Sequence, residues 1–177
     1  GGHNGREETT TLALIPSVRQ ATRLPLMAAG GIASGQAMLA AMVLGADGVQ
    51  AGSLFAISEE SSAHANFKQL VTGLNEGATK LALKKLAPVR LIKNHFFEQV
   101  EKAENSGSSV EDLKELLGKG RARKGIFLGD LENGELEIGQ VSAQIKKIKP
   151  VKEIMETLIS EYKTSMIEIS NNGKYAF

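Results

Sequence analysis

Two short apolar runs near the beginning of the chain each end in a glycine turn. The first spans residues 24–29 and leads into Gly30 and Gly31, and the second spans residues 48–51 and leads into Gly52. Continuous apolar runs bounded by glycines are typical of strands that are buried on both faces of a parallel sheet. We therefore predict two buried strands here.

The segment between these runs has the pattern of a helix. Residues 35–44 are rich in Ala and Met, Ser34 can cap their N-terminus, and Gly45 can end the helix. A strand, a helix and a second strand predict a parallel unit with a glycine at the carboxyl end of each strand. Backbone N–H groups of such glycines can approach a phosphate because no Cβ obstructs them. The last two strands of a (β/α)8 barrel commonly build a phosphate site in this way.

Helical periodicity recurs on both sides of this unit. Pro16 falls near the first turn of the first helix, where a missing N–H is tolerated, and Ser109 and Asp112 have the spacing of a capping box. Residues 118–134 combine glycines with charged side chains, so we predict an irregular segment there. Residues 78–92 are mixed apolar and basic, and Pro88 interrupts them. We predict helices over residues 9–21, 61–74, 96–103, 110–117 and 151–162, and the beginning of another at 140–145.

Charge and composition exclude several classes of partner. The 21 basic and 20 acidic side chains of the 177 residues give a net charge of +1, which offers nucleic acid or acidic lipid no attraction. The chain has no cysteine, so it has no disulfide or thiolate metal site, and its 3 histidines lack metal-ligand spacing. It contains no apolar run of about 18 residues that could span a membrane. We expect a cytoplasmic protein that acts on a small molecule, with no metal.

The first residues have the composition of a loop, and no Met precedes Gly1. A complete (β/α)8 barrel needs about 250 residues, whereas this chain has 177 and two clear barrel strands. We therefore expect it to be the C-terminal part of a longer protein.

Five motifs in order resemble the nitronate monooxygenase family, the former 2-nitropropane dioxygenases, which also includes FMN-dependent enoyl-acyl-carrier-protein reductases. They are GGHNG at residues 1–5, AAGGI at 28–32, GVQAGSLF at 48–55, ESSAHANFK at 60–68, and GD at 129–130 followed by GQV at 139–141. The resemblance covers about residues 1–160. Ser53 stands where the family usually has Thr, and Leu54 where Arg or Ala is common.

The resemblance implies an α/β fold, the C-terminal portion of an FMN-dependent (β/α)8 TIM barrel whose seventh and eighth strands carry the phosphate site. Residues 1–60 would hold the last strands and the phosphate-binding turns, residues 61–165 an added helical segment that packs on the barrel, and residues 166–177 a tail. Helices after residue 60 are long enough to form a homodimer interface.

His3 is the candidate catalytic residue. A neutral imidazole can take a proton from the carbon next to a nitro group, or hydrogen-bond to nitronate oxygens; the alternative is an ordinary loop histidine. His64 is interpreted as structural or interfacial and His95 as a surface residue.

The candidate FMN-binding residues cluster at the two turns and at a later glycine. The turn glycines and Ser53 would hold the phosphate, although glycines also simply end strands. A buried Gln50 needs a polar partner, in the flavin or in the protein, and the turn at Gln140 either folds over the flavin or only caps a helix. The set is Gly2, Ala29, Gly30, Gly31, Gln50, Gly52, Ser53 and Gln140.

Three hypotheses for the function follow. The first is a nitronate monooxygenase that uses FMN and O2 to convert alkyl nitronates to a carbonyl compound and nitrite. The second is an FMN-dependent enoyl-acyl-carrier-protein reductase that uses NADH, in which the basic run at residues 119–124 could meet a carrier-protein phosphate rather than only solvent. The third is that the chain alone is an inactive truncated fragment.

Overall fold

The computed structural model describes residues 1–2 and 7–171, which form an α/β arrangement. The helices are α1 (Thr11–Ala21), α2 (Gly35–Val43), α3 (Ser53–Ala56), α4 (Ala65–Thr72), α5 (His95–Asn105), α6 (Val110–Leu117) and α7 (Val151–Asn171). The strands are β1 (Met27–Ala29), β2 (Gly48–Gln50), β3 (Thr79–Ala82) and β4 (Val89–Ile92). A π-helical turn spans Arg123–Phe127, and a 3-10 helix spans Gln140–Gln144.

The predicted strand–helix–strand unit is confirmed. Strands β1 and β2 pair in parallel, with Ala28 opposite Val49, and α2 makes the crossover. The Ser34 hydroxyl accepts a hydrogen bond from the Ala37 amide at 3.2 Å and caps α2 as predicted. Just beyond the end of α2, Gly45 adopts φ +111°, a conformation that favours glycine. The unit therefore delivers both glycine turns to the same end of the sheet.

The prediction that these strands are buried on both faces is wrong. Strand β1 begins at Met27 rather than at residue 24, and the Met27 side chain is 58% exposed while Ala28 is only 3% exposed. The described residues place β1 and β2 in a sheet of two strands, with the buried side chain of Ile15 from α1 and that of Ala41 from α2 packed on the same side as Ala28. One face of β1 is therefore covered and the other is open.

Helix α1 begins at Thr11, so Pro16 lies in its interior rather than near its first turn. Proline has no N–H group, and the carbonyl of Leu12 loses its helical partner at this point. Leu12 is 68% exposed, which lets water take the place of that partner.

The segment predicted to be helical over residues 61–165 contains a small sheet. Strands β3 and β4 form an antiparallel hairpin, with Ala82 opposite Val89. Residues 135–138 run along the other edge of β4, where the Ile92 amide donates to the carbonyl of Leu136 at 2.9 Å and the Ile138 amide to that of Arg90 at 3.2 Å. The hairpin separates two apolar clusters, one around Phe67 and Leu136 and the other around Phe96 and Leu91.

Local capping explains where the helices around this sheet begin. Helix α4 starts at Ala65 rather than at residue 61, because the Nδ1 atom of His64 accepts a hydrogen bond from the Asn66 amide at 3.1 Å and acts as the N-cap. Helix α5 agrees with its prediction apart from one or two end residues. The predicted capping box is confirmed, with Ser109 and Asp112 bonding to each other's backbone amides at the start of α6.

Helix α7 extends to Asn171, beyond the predicted end at residue 162 and into residues 166–171, which the sequence assigned to a tail. The extension packs against the protein, since the Ser165 side chain is 5% exposed. Earlier in α7, the Glu161 carboxylate accepts a hydrogen bond from the Gly35 amide at 2.7 Å. A Cβ at Gly35 would overlap the backbone nitrogen of Tyr162 and lie 2.5 Å from the Leu158 carbonyl oxygen. Only glycine allows α2 and α7 to approach this closely.

Gly35→Ala is expected to lower the free energy of unfolding by about 1–3 kcal/mol, because the new methyl group meets rigid backbone rather than a flexible side chain. Urea denaturation measures the change. Gly73→Ala is the matched control, since a Cβ there makes an ordinary 3.5 Å contact with the Leu70 carbonyl. Equal losses in the two variants would contradict the close approach of α2 and α7.

Candidate functional site

A cleft of about 660 Å³ opens where the chain leaves β1 and β2. Its volume lies within the range of about 300–1,000 Å³ that small-molecule sites occupy. Both glycine turns, the N-terminal residues and the segment at residues 137–139 contribute to its walls. Seven of the predicted cofactor-binding residues line it: Gly2, Ala29, Gly30, Gly31, Gln50, Gly52 and Ser53.

The first turn owes its shape to two glycines in the left-handed region. Gly30 has φ +105° and Gly31 has φ +74°, which strain any residue with a side chain. The Thr11 hydroxyl donates to the Gly30 carbonyl at 2.9 Å and ties the turn to α1. No heavy atom lies within 4 Å of the position that a Cβ on Gly31 would take. The backbone is therefore exposed to the cleft at Gly31.

The second turn is open in the same way. A Cβ on Gly52 would also meet nothing within 4 Å, and its φ of −84° is one that other residues adopt. The hydroxyl oxygen of Ser53, the next residue, accepts a hydrogen bond from the Gly139 amide at 3.1 Å. The two turns form two walls of the cleft, and residues 137–139 with the N-terminal glycines form the third wall. This bond attaches the third wall to the second turn.

The third wall contains residues 137–139 and the N-terminal glycines. The Arg90 amide of β4 donates to the carbonyl of Gly2 at 2.6 Å, which holds Gly2 beside the sheet. A Cβ on Gly2 would lie 3.5 Å from the backbone of Ile138. Gly2 thus lies beside the backbone of Ile138 and forms part of the cleft lining.

The structure changes the interpretation of Gln50 and Gln140. Gln50 is exposed at the end of β2 and lines the cleft, so it is not the buried side chain that the pattern predicted. Gln140 is exposed at the start of the 3-10 helix and lies outside the lining, whereas its neighbour Gly139 lies within it. His3 lies outside the described residues. The exposed His95 contacts the Gln99 side chain of its own helix at 3.0 Å.

The family model of the nitronate monooxygenases matches residues 1–161. The chain belongs to the nitronate monooxygenase family. A probable nitronate monooxygenase of Bacillus subtilis is 32% identical over 169 residues, which are 91% of this chain and 48% of that protein. One from Staphylococcus aureus is 31% identical over 172 residues, which are 91% and 47% of the two chains. The chain thus spans about half the length of the curated relatives it matches.

Solved structures show the same relationship. FabK from Thermotoga maritima superposes with a TM-score of 0.88 at 35% identity, covering 96% of this chain and 53% of that one. A nitroalkane oxidase from Streptomyces ansochromogenes superposes with a TM-score of 0.73 at 27% identity, covering 96% and 50%.

In this member of the nitronate monooxygenase family, the third wall carries two carboxyl groups that the sequence analysis missed. Glu137 lines the cleft, and Glu135 is 7% exposed behind it. Burial, together with the charge of Glu137 and a hydrogen bond to it, raises the pKa of Glu135 to about 7, against an opposing effect of Arg121. The alternation of Glu135, Leu136, Glu137 and Ile138 was the available signal, since a period of two places both carboxyl groups on one face of an extended segment.

The polar groups that the cleft presents to a ligand are mainly backbone amides and hydroxyl groups, and few of its side chains are charged. Among the described lining residues, the ionisable side chains are Glu7 and Glu137, both acidic, while Thr9, Thr11, Gln50 and Ser53 supply uncharged polar groups. An anion bound by these residues would rely on the N–H groups at the glycine turns.

Among residues 1–2 and 7–171, no cluster of three potential metal ligands from His, Cys, Asp and Glu is present.

None of the helices in the described part of the chain combines the length and the apolar character needed to cross a membrane.

Ser53→Ala is expected to lower the free energy of unfolding by about 1–3 kcal/mol, because the buried Gly139 amide loses its acceptor. Ser53→Thr keeps the hydroxyl and is expected to retain nearly the full stability. Chemical denaturation of the two variants beside the unsubstituted chain measures the difference. If Ala and Thr at this position behaved alike, the bond between the second turn and the third wall would not be a stabilising one.

Glu135→Gln is expected to stabilise the protein selectively at high pH. Because the pKa of Glu135 rises from 4.5 to about 7 on folding, its stabilising contribution is present below pH 4.5 and is lost as the pH rises through 7. Neutral Gln removes that loss. The free energy of unfolding of the variant, relative to that of the unsubstituted chain, should therefore be higher at pH 8 than at pH 5 by on the order of 1 kcal/mol. Thermal melts at both pH values test this, with the exposed Glu132→Gln as the control.

Proposed function

We propose that the chain carries the phosphate-binding end of an FMN-dependent nitronate monooxygenase, which converts alkyl nitronates and O2 to a carbonyl compound and nitrite. The observation that carries this proposal is the pair of glycine turns at one end of a parallel strand–helix–strand unit, with open space at Gly31 and Gly52. A Cβ at either position would enter the cleft where a phosphate approaches the backbone. Membership of the nitronate monooxygenase family supports the assignment.

On this proposal, β1 and β2 are the seventh and eighth strands of a (β/α)8 barrel, and the described chain is the C-terminal portion of that barrel. The parallel pairing of β1 and β2 and the half-length match to relatives support this. Residues 1–60 form the barrel end with its phosphate turns, and residues 61–165, which include the β3–β4 hairpin, pack on it. The region after residue 165 continues α7 as far as Asn171.

The residues present fit FMN. The N–H groups at Gly30, Gly31 and Gly52 would hold its phosphate without a basic side chain, since backbone amides at such turns form an anion site. Gln50 and Ser53 would add side-chain polar contacts from the second turn. When bound, FMN supplies the electron-transfer chemistry, and the protein supplies position and electrostatics.

His3 is the proposed catalytic residue. It follows Gly2 directly in the sequence, and the backbone of Gly2 reaches the cleft. Its imidazole would take a proton from the carbon next to the nitro group of a nitroalkane, or donate a hydrogen bond to the oxygens of a nitronate. The flanking glycines would let the backbone approach a flat ligand closely.

A second candidate function is the reduction of an enoyl-acyl-carrier-protein thioester by an FMN-dependent enzyme that uses NADH. The carboxyl group of Glu137 on the cleft wall favours it. A carboxylate repels an anionic nitronate but not a neutral thioester. Nitrite release from an alkyl nitronate and NADH consumption with a crotonyl thioester distinguish the two reactions, with each assay run on the same FMN-loaded preparation.

Titration of the purified chain with FMN, followed by quenching of the flavin fluorescence, is expected to show saturable binding. Gly52→Ala should weaken this binding about tenfold, a cost of about 1.4 kcal/mol, because its methyl group occupies open cleft space.

Since the φ of Gly52 is negative, the same substitution should leave the melting temperature nearly unchanged. Gly73→Ala, outside the cleft, should affect neither quantity. Absence of FMN binding by the unsubstituted chain would count against the proposed phosphate site.

A further inference from the structure

One end of the cleft is apolar, and the proposed phosphate contacts do not use it. Three of the lining residues lie in or against the apolar cluster around Phe67 and Leu136, namely Ala56, Ile126 and Ile138. The Ala56 amide donates to the Gly52 carbonyl at 2.9 Å, which places Ala56 one helical turn, about 5.4 Å, beyond the second glycine turn. The cleft therefore leads from open backbone at that turn to an apolar end beside it.

Ile126 is the residue of this end that is best placed to meet a ligand. Ile138 is 4% exposed, and the side chain of Ala56 is a single methyl group, whereas Ile126 is half-buried and lines the cleft. Because Ile branches at Cβ, its side chain is restricted at χ1 and forms a stiff wall. A ligand group that extends toward the apolar end meets this wall.

A π-helical turn determines where Ile126 lies. The Leu128 amide donates to the carbonyl of Arg123, five residues earlier, at 3.1 Å. This bond adds one residue to an ordinary helical turn, an arrangement that is frequent at functional sites. The Ile126 carbonyl accepts a hydrogen bond from the His64 amide at 2.8 Å, which ties the turn to the start of α4.

The neighbouring Gly125 holds the turn on its other side. A Cβ on Gly125 would lie 2.6 Å from the Leu136 side chain and 2.9 Å from the Glu135 carbonyl oxygen. The turn is therefore in close contact with residues 134–136, which lead directly into the third wall. Contacts on both sides fix the backbone of Ile126, and a side chain on a fixed backbone can discriminate between ligands by their shape.

We propose that Ile126 is a specificity-determining residue, which limits the length of the alkyl group that a substrate carries into this cleft. The substrate class that it selects is a short-chain alkyl nitronate, whose alkyl group packs against Ala56, Ile126 and Ile138. Packing of this kind is favourable because it removes apolar surface of both partners from water. The inference deepens the proposed function and rests on it, since it takes the cleft to be the nitronate site.

The length of the alkyl group has a measurable effect on affinity. Each methylene that leaves water against an apolar wall increases the affinity about two- to fourfold. The increase ends at the length at which the chain reaches Ile126, because overlap with a stiff side chain is more unfavourable than further burial is favourable. A shorter side chain at position 126 should move this end point to longer alkyl groups.

The probes are the 1-nitroalkanes from nitroethane to 1-nitrohexane, in their neutral form, added to the ligand-free full chain. The ¹³C methyl signals of Ile126 and Ile138 report binding, and the Ile138 signal remains as the reporter when position 126 is changed. The dissociation constant should fall about two- to fourfold per methylene up to the end point. The end point should be longer by about one carbon in Ile126→Val and by about two in Ile126→Ala, in line with the carbons removed.

Ile145→Val is the matched control. Ile145 is 7% exposed in the same cluster and lies outside the cleft lining, so that it loses the same methyl group without changing the cleft. Its end point should equal that of the unsubstituted chain. Circular dichroism and thermal melts verify that each variant folds, and the two Val variants carry the test if Ile126→Ala does not fold.

The same end point in the unsubstituted chain and in Ile126→Val would overturn the length limit, as would methyl signals that none of the nitroalkanes shifts. Nitrite release by the FMN-loaded chain is the second measurement. The nitronate with the highest kcat/KM should be longer by about one carbon in Ile126→Val.

These two measurements separate failure of the inference from failure of the proposed function. If the binding end point moves as expected but none of the nitronates yields nitrite, Ile126 limits the length of an alkyl ligand and the nitronate reaction is wrong. If nitrite is released with the same preference for chain length in the unsubstituted chain and in Ile126→Val, the nitronate reaction stands and the role of Ile126 is wrong.

Discussion

The hydrogen bond from the Gly139 amide to the Ser53 hydroxyl oxygen joins the two parts from which the cleft is made. One part is the β1–α2–β2 unit with its own small cluster around Ile15 and Ala41, and the other is the hairpin with the segment that runs along β4. The bond also favours glycine at position 139, because a Cβ there would lie 2.7 Å from the serine oxygen. The family's usual Thr would keep the same acceptor, so Ser at position 53 preserves the contact that closes the cleft.

Local signals in the sequence predicted the parts of the fold that are determined locally. Ser34 and Gly45 bracket α2 as expected, and Ser109 with Asp112 begins α6, because capping depends on side chains within a few residues of the helix end. The two glycine turns were also found, and in the first of them the positive φ of Gly30 and Gly31 favours glycine itself. Seven of the eight residues predicted to bind the cofactor consequently line one cleft.

Features that depend on partners distant in sequence were missed. The β3–β4 hairpin has strands of four residues each and a basic, proline-containing connection, so its pattern of side chains indicates no element until the segment at residues 135–138 is seen beside it. Gln50 was interpreted as buried because its neighbours are apolar, yet it ends a strand at the cleft. Glu135 and Glu137 carry a pattern of period two, but their significance arises from burial of one and not of the other, which no short stretch of sequence reveals.

The contact between Gly35 and Glu161 has a consequence for how the protein forms during synthesis. The two residues are 126 positions apart, so the amide at the start of α2 meets its carboxylate only after nearly all of the described chain has left the ribosome. Closing so long a loop costs conformational entropy and slows the formation of the contact. Until α7 docks, the helix that follows the first glycine turn lacks its cover, and a nascent chain at that stage exposes apolar surface to which a chaperone can bind.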